Sequence, residues 1–182
     1  ATARDTLAGI ERRLVLPCGW FEITFGPLAD HAQWHVKRYR PECVSTHATD
    51  GKKVLLPPHT DPSLISVVVH HAPGVNSGAL GLEYLAPQNG HGAWKQVPHH
   101  GHAVATVFTG SVMARITHDA FPAATHRVAS FLDATEKDER LAATFFWRPA
   151  PHAVLCVPPS AKLPTPRQFK QMRFDTWCKK TA

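Results

Sequence analysis

The chain has 182 residues, of which 43% are hydrophobic and 19% are charged. This is the composition of one folded globular domain and excludes a disordered polymer. No apolar run approaches the roughly 18 residues of a membrane span, so the sequence predicts no membrane-spanning segment. The formal net charge is +6, but residues 160–182 hold six Lys and Arg residues and a single Asp. Since the rest of the chain is nearly neutral, a nucleic-acid partner is not expected.

The four cysteines predict the redox environment. They are widely separated and form no C-x-x-C pair: Cys18, Cys43, Cys156 and Cys178. This pattern is unlike that of a small disulfide-bonded domain and favours reduced thiols. We therefore expect a cytoplasmic protein.

The first predicted element is a helix over residues 5–16, beginning near Asp5 and stopped by Pro17. Its apolar residues recur at helical spacing: Leu7, Ile10, Leu14 and Val15.

After this helix the helical period disappears, and short β-rich runs follow one another between Pro- and Gly-containing turns. The runs are GWFEITF, WHVKRYR, KKVLL, SLISVVVHH, ALGLEYL, AVATVF, HRVASFL and RLAATFFW. Residues 111–117 fit a helical turn or a strand equally well, and residues 166–180 have the pattern of an amphipathic helix. The predicted fold class is mainly β, a jelly roll with flanking N- and C-terminal helices.

The local feature with the clearest chemistry is His59-Thr60-Asp61, between Pro57-Pro58 and a predicted strand. In an extended segment, residues i and i+2 project to the same face, so that an imidazole and a carboxylate could bind one metal ion. A three-residue pattern is weak by itself, because it arises easily by chance in a chain with 13 histidines.

A second histidine from a distant strand would strengthen the metal prediction, and His126 is the candidate. Two histidines and one carboxylate on one face of a metal leave positions open for a bidentate cosubstrate and dioxygen, as in non-haem Fe(II) oxygenases. Arg140 begins a later predicted strand, and its planar guanidinium suits a bidentate carboxylate.

With these residues in place, the sequence resembles the isopenicillin N synthase-like family of Fe(II)- and 2-oxoglutarate-dependent dioxygenases. The segments that carry the resemblance are RYRPEC, LLPPHTDPSLISVVVHH, GALGLEY, WKQVP, HGHAVATVFTGSVMARIT, THRVASF and RLAATFFWRPAPHAVLCVPP. The resemblance implies a double-stranded β-helix core over residues 34–159. Residues 1–33 would then be an N-terminal helix and lead-in strand, the remnant of a longer N-terminal region, and residues 160–182 a basic C-terminal helix.

The same resemblance implies roles for individual residues. His59, Asp61 and His126 would bind Fe(II) as the catalytic triad, Arg140 would pair with the distal carboxylate of 2-oxoglutarate, and Tyr39 would hydrogen-bond this cosubstrate. Dioxygen would be the oxidant and ascorbate a reductant. The implied reaction is oxidation, in most cases hydroxylation, of a small organic substrate, with decarboxylation of 2-oxoglutarate to succinate.

One departure from the family pattern concerns cosubstrate binding. The family carries Arg-x-Ser, whereas this chain reads Arg140-Leu141-Ala142. Losing the hydroxyl removes one hydrogen bond to a charged oxygen, worth roughly 1.5–3 kcal/mol. A weaker or different cosubstrate is therefore one expectation.

Three other interpretations stay open at this stage. The chain could be a catalytically impaired jelly-roll binding or scaffold protein that retains the ligands, or a nucleic-acid-modifying enzyme that uses its basic tail. His99, His100 and His102 could bind zinc, but without cysteines nearby a solvated loop is favoured. The sequence leaves the substrate and the oligomeric state undetermined.

Overall fold

A computed structural model describes residues 2–40, 46–47, 52–71, 81–88, 91–97, 104–130 and 140–155. Within these ranges the helices are α1 (Thr2–Arg13), α2 (Trp20–Phe25), α3 (Leu28–His31) and α4 (Ser111–Ile116). The strands are β1 (Ala32–Tyr39), β2 (Thr46–His47), β3 (Lys53–His59), β4 (Ile65–His71), β5 (Leu82–Gln88), β6 (His91–Gln96), β7 (Ala105–Thr109), β8 (His126–Ser130) and β9 (Arg140–Trp147).

The strands form two antiparallel sheets. The first has the order β1-β9-β4-β7 and the second the order β2-β3-β8-β5-β6. Apolar side chains from both sheets form a core between them: Val68, Leu82, Phe108, Val128 and Ala142. This arrangement confirms the predicted mainly β, two-sheet jelly roll, because each sheet buries one face against the other.

A second core lies where the helices pack against the ends of β4 and β9. It includes Leu7 and Ile10 of α1, Met113 of α4, and Trp147, which is fully buried. In the segment 111–117, which the sequence left undecided, residues 111–116 form helix α4, whose residues are all buried except Arg115. None of the helices in the described ranges has the length and apolarity that crossing a bilayer requires.

The prediction of a strand over GWFEITF is wrong, because this run forms helix α2. Its aromatic residues have high strand propensity, but Phe21 and Phe25 are four residues apart and both fully buried on one helical face. The Glu11 carboxylate accepts hydrogen bonds from the backbone N–H groups of Gly19 and Phe21, at 2.9 and 3.1 Å. Tertiary contacts with α1 therefore override local propensity here.

The N-terminal helix is confirmed, but it begins at Thr2 and ends at Arg13 instead of covering residues 5–16. It ends before Pro17 because Val15 has a φ of 56°, in the left-handed region that terminates a helix.

Candidate metal site

Three metal-ligating side chains meet at one end of the second sheet. His59 is the last residue of β3 and His126 the first residue of β8, and the strand register places them directly opposite each other. Asp61 follows His59 by two residues, in the segment that leads to β4. One ligand atom from each residue lies within 4.8 Å of the others. The structure thus brings together the three residues that the sequence predicted as metal ligands.

Backbone carbonyl groups orient both imidazole rings. Nδ1 of His59 lies 2.8 Å from the Pro57 carbonyl oxygen, and Nδ1 of His126 lies 3.0 Å from the Ala124 carbonyl oxygen. A carbonyl oxygen can only accept, so each Nδ1 carries the proton and, in the neutral ring, each Nε2 keeps a lone pair. Such hydrogen bonds are typical of metal-binding histidines, because they fix the tautomer and the ring orientation.

The two lone pairs face a buried carboxylate. Oδ1 of Asp61 lies 3.6 Å from Nε2 of His59 and 3.8 Å from Nε2 of His126. Asp61 and His126 are each only 5% exposed. Three acceptor atoms with no proton between them repel one another in a buried place unless a cation binds among them.

The two nitrogen-to-oxygen distances are short enough for a single ion. Two donors that each bind one ion at about 2.1 Å lie no more than about 4.2 Å apart, and both nitrogen-to-oxygen distances are shorter than that. A set of two imidazoles and one carboxylate is the facial arrangement suited to Fe(II), since it leaves the other positions of the ion open.

Burial favours the metal-binding form of His59. It lowers the pKa of the His59 imidazole, and the neighbouring His126 lowers it further; the Pro57 carbonyl and the Asp61 charge oppose this in part, and the positive charge of Lys37 has the smallest effect. His59 is therefore held in its neutral form near pH 7, in which Nε2 can bind a metal.

The segment that carries Asp61 is fixed by the start of α4. The Asp61 carbonyl oxygen accepts hydrogen bonds from the backbone N–H and the hydroxyl group of Ser111, at 2.8 and 3.0 Å. The Gly110 N–H donates to the Leu64 carbonyl oxygen at 3.0 Å, and the Val112 N–H donates to that of Ser63 at 3.2 Å. These bonds hold the loop between β3 and β4 against residues that lie about fifty positions later in the chain.

The structure adds a site residue that sequence reasoning missed. The ring of Phe108, in the opposite sheet, stacks on the imidazole of His126 with centroids 4.7 Å apart and planes 3° from parallel. Phe108 is the buried residue of β7, but nothing in the local sequence indicates that its neighbour is His126.

A cavity between the sheets contains the three donors, and its wall includes Lys37, Tyr39 and Ala142. The backbone register places Arg140 directly opposite Tyr39, and Ala142 directly opposite Lys37. Tyr39 thus lies in the same cavity as the metal-ligating residues. The roles of Tyr39 and Arg140 in cosubstrate binding stay predictions.

Other predictions concern residues outside the described ranges. The His99, His100 and His102 cluster and the basic segment 160–182 lie there, as do three of the four cysteines. Cys18 is described as a free, exposed thiol. The division into residues 1–33, 34–159 and 160–182 also stays a prediction.

The fold and the site together define a jelly-roll protein with a two-histidine, one-carboxylate centre. The family model of the 2OG-Fe(II) oxygenase superfamily matches residues 32–149, which is more than half of the chain. The chain therefore belongs to this superfamily. The predicted cofactors, Fe(II), 2-oxoglutarate and O2 with ascorbate as reductant, are those of the family.

Solved structures of similar fold include a full-length protein of Neurospora crassa, determined in complex with alpha-KG and also with alpha-KG and thymine. For the alpha-KG complex the TM-score is 0.67 at 15% identity, over 93% of this chain and 53% of that chain. JOX2 in complex with 2OG, Fe and JA has a TM-score of 0.67 at 20% identity, over 93% of this chain and 47% of that chain. The rice dioxygenase for auxin oxidation has a TM-score of 0.66 at 16% identity, over 96% and 54%.

At these identities the likeness shows the shared fold. The chain spans about half the length of these three structures. No curated protein matches the chain.

Proposed function

We propose that this chain is the catalytic core of an Fe(II)- and 2-oxoglutarate-dependent dioxygenase of the isopenicillin N synthase-like group. It oxidises a small organic substrate, most simply by hydroxylation of a C–H bond. In the balanced reaction, one atom of O2 enters the hydroxylated product and the other enters succinate, while 2-oxoglutarate loses CO2. The observation that carries this proposal is the pair of imidazole Nε2 atoms, oriented by their Nδ1–H bonds, that face the buried carboxylate of Asp61.

Each residue of the site has a defined part in this function. His59, Asp61 and His126 hold Fe(II), which supplies the redox chemistry with O2 when it is bound. Tyr39 and Arg140 bind 2-oxoglutarate, Tyr39 through its hydroxyl group and Arg140 through its charge. The burial of Asp61 and His126 keeps bulk water from one side of the centre, which protects reactive species from side reactions.

Similar structures support a small-molecule substrate. The Neurospora crassa protein was determined with thymine and JOX2 with JA, in each case together with the 2-oxoglutarate cosubstrate. We also propose a cytoplasmic location, because the four cysteines are widely separated in the sequence and form no C-x-x-C pair.

The test is an anaerobic titration of the metal-free protein with Fe(II) and then with 2-oxoglutarate, followed by the visible charge-transfer band of a chelated keto acid. The wild-type protein should bind one equivalent of Fe(II) and then develop the band. Asp61→Asn keeps the side-chain shape but removes the charge, and it should weaken Fe(II) binding by at least about a hundredfold. The matched control is Asp30→Asn, since Asp30 is an exposed carboxylate in α3.

Succinate formation in air gives the second readout. It should require Fe(II) and be lost in Asp61→Asn while Asp30→Asn retains it. Unchanged Fe(II) affinity and unchanged succinate formation in Asp61→Asn would overturn the assignment of the centre.

A second candidate function is a binding or scaffold protein that keeps the metal ligands but has lost catalysis. The observation in its favour is Ala142, whose methyl group lies in the wall of the cavity at 3% exposure, where the resembled family carries a serine hydroxyl. Stoichiometric Fe(II) binding without the charge-transfer band and without succinate would favour this function over the first.

A further inference from the structure

Lys37 brings a positive charge into the wall of the metal-site cavity. It lies on β1, two residues before Tyr39, and both side chains line the cavity that contains His59 and Asp61. No described residue forms an ion pair or a hydrogen bond with the Lys37 side chain. Since Lys37 is exposed and lines the cavity, its ammonium is available to an anion that binds there.

The strand register relates Lys37 to the position where the Arg-x-Ser pattern is broken. In the antiparallel β1–β9 pair, Lys37 lies directly opposite Ala142, and Tyr39 directly opposite Arg140. Opposite Cβ atoms in such a pair are about 4.5 to 5.5 Å apart. A lysine ammonium on its flexible four-carbon stem can therefore reach the space that a hydroxyl group at residue 142 would serve.

The charge of Lys37 also limits what it can bind. An ammonium has three donors and no acceptor, so it cannot be a metal ligand, and it repels a divalent cation at the His59–Asp61–His126 centre. An anion between the two positive charges removes this repulsion. A dicarboxylate that chelates the metal at one end and reaches β1 and β9 with its other end has the required charge and length.

We propose that Lys37 binds the distal carboxylate of 2-oxoglutarate and replaces the hydroxyl group that Ala142 lacks. This inference rests on the proposed function of the site. A charge-assisted hydrogen bond from an ammonium is about twice as strong as a neutral one. The loss of the serine hydroxyl is therefore compensated within the same pair of strands, and the sequence departure at Ala142 does not by itself weaken cosubstrate binding.

The test is calorimetric binding of two keto acids to the Fe(II)-loaded protein without oxygen. One is 2-oxoglutarate, and the other is 2-oxopentanoate, which has the same chain length but no distal carboxylate. Lys37→Ala should weaken 2-oxoglutarate binding about tenfold to a hundredfold and leave 2-oxopentanoate binding and Fe(II) affinity unweakened. Lys37→Arg should retain most of the affinity, and Lys95→Ala, at an exposed lysine of β6, should change nothing.

A rescue variant tests whether the effect of Lys37→Ala arises at the position of Ala142. Adding Ala142→Ser to Lys37→Ala should restore part of the 2-oxoglutarate affinity, because the serine hydroxyl returns a donor to the same place. Circular dichroism and the unfolding midpoint of Lys37→Ala should match the wild-type protein, since Lys37 is an exposed residue; Lys37→Gln, which keeps much of the stem, is the second variant for the binding measurements.

Three results would overturn the inference. Unchanged 2-oxoglutarate affinity in Lys37→Ala and Lys37→Gln would exclude the contact. An equal loss for both keto acids would place Lys37 at the metal-chelating end instead. Failure of the Fe(II)-loaded wild-type protein to bind 2-oxoglutarate at all would refute the proposed function itself. This result is distinct from a failure of the Lys37 inference, because it is seen in the wild-type protein without any variant.

Discussion

Gly110 packs against the loop that carries Asp61 and directly precedes Ser111, whose hydrogen bonds hold Asp61. A Cβ atom added there would collide with the carbonyl oxygen of Ser63 and lie 2.7 Å from its carbonyl carbon and 2.6 Å from its Oγ. The same segment donates the hydrogen bonds that hold the loop of Asp61. Gly110→Ala must therefore move one of two backbone segments that are joined by those bonds.

The size of the effect follows from these distances. Two carbon atoms in favourable contact lie at least about 3.5 Å apart, so the backbone must separate by close to an ångström. Forcing an extra methyl group into a packed interior costs about 1–3 kcal/mol of unfolding free energy. The movement also shifts the loop that carries Asp61 relative to His59 at the end of β3. Fe(II) affinity should therefore fall by about tenfold to a hundredfold, as when a residue supporting a metal ligand is lost.

Urea unfolding of the metal-free protein and an Fe(II) titration measure the two effects separately. The matched control is Gly9→Ala in α1, where the added Cβ would approach no atom closer than 3.9 Å. That change should stabilise the protein by about 0.5–1 kcal/mol and leave Fe(II) binding unchanged. Wild-type stability and Fe(II) affinity in Gly110→Ala would refute the argument that this contact positions Asp61.

Two further predictions concern the histidines. Phe108→Leu removes the ring that stacks on His126, so we expect a loss of about 0.5–1.5 kcal/mol in urea unfolding together with weaker Fe(II) binding. Phe121→Leu, away from the donors, should cost stability without changing Fe(II) affinity, and equal Fe(II) affinity in both variants would contradict the stacking role. Burial keeps the pKa of His59 in the folded protein below its ordinary value of 6.5. As the pH falls, the unfolded chain therefore binds a proton at His59 before the folded protein does. The stability of the metal-free protein should therefore decline as the pH falls below about 6.5, and His59→Gln should flatten that decline; identical pH profiles would argue against it.

The sequence predicted those parts of the site that depend on short spacing. His59 and Asp61 are two residues apart in an extended segment, so their proximity is a local property of the backbone. The strands also follow from local patterns, because alternating and β-branched runs between turns specify two-sheet packing. His126 is 65 residues further along the chain than Asp61, so short spacing does not place it there; the β3–β8 register puts it opposite His59.

The remaining features depend on contacts between distant parts of the chain, which no local pattern specifies. Helix α2 exists because Glu11 caps its first turn and because Phe21 packs edge-on against Trp147. Gly110 approaches Ser63, Phe108 stacks on His126, and Lys37 faces Ala142 only once the sheets have formed. Propensity and periodicity describe one segment at a time, so they cannot predict which residues from distant segments will be in contact.

An ion pair on the face of β8 opposite His126 helps to fix the strand register that the metal site requires. Arg127 is opposite Glu83 in the β5–β8 register, and its Nε and Nη2 both lie 2.7 Å from Glu83 Oε2, with the guanidinium 4.3 Å from the Trp94 ring centre. Both charged residues are at least 95% buried, so breaking this pair would be costly. A slip of β8 by one residue would separate the pair and turn Arg127 toward the cavity in place of His126. The ion pair on the outside therefore selects the register that directs His126 at Asp61, and the stability of the sheet and the geometry of the metal site depend on the same strand pairing.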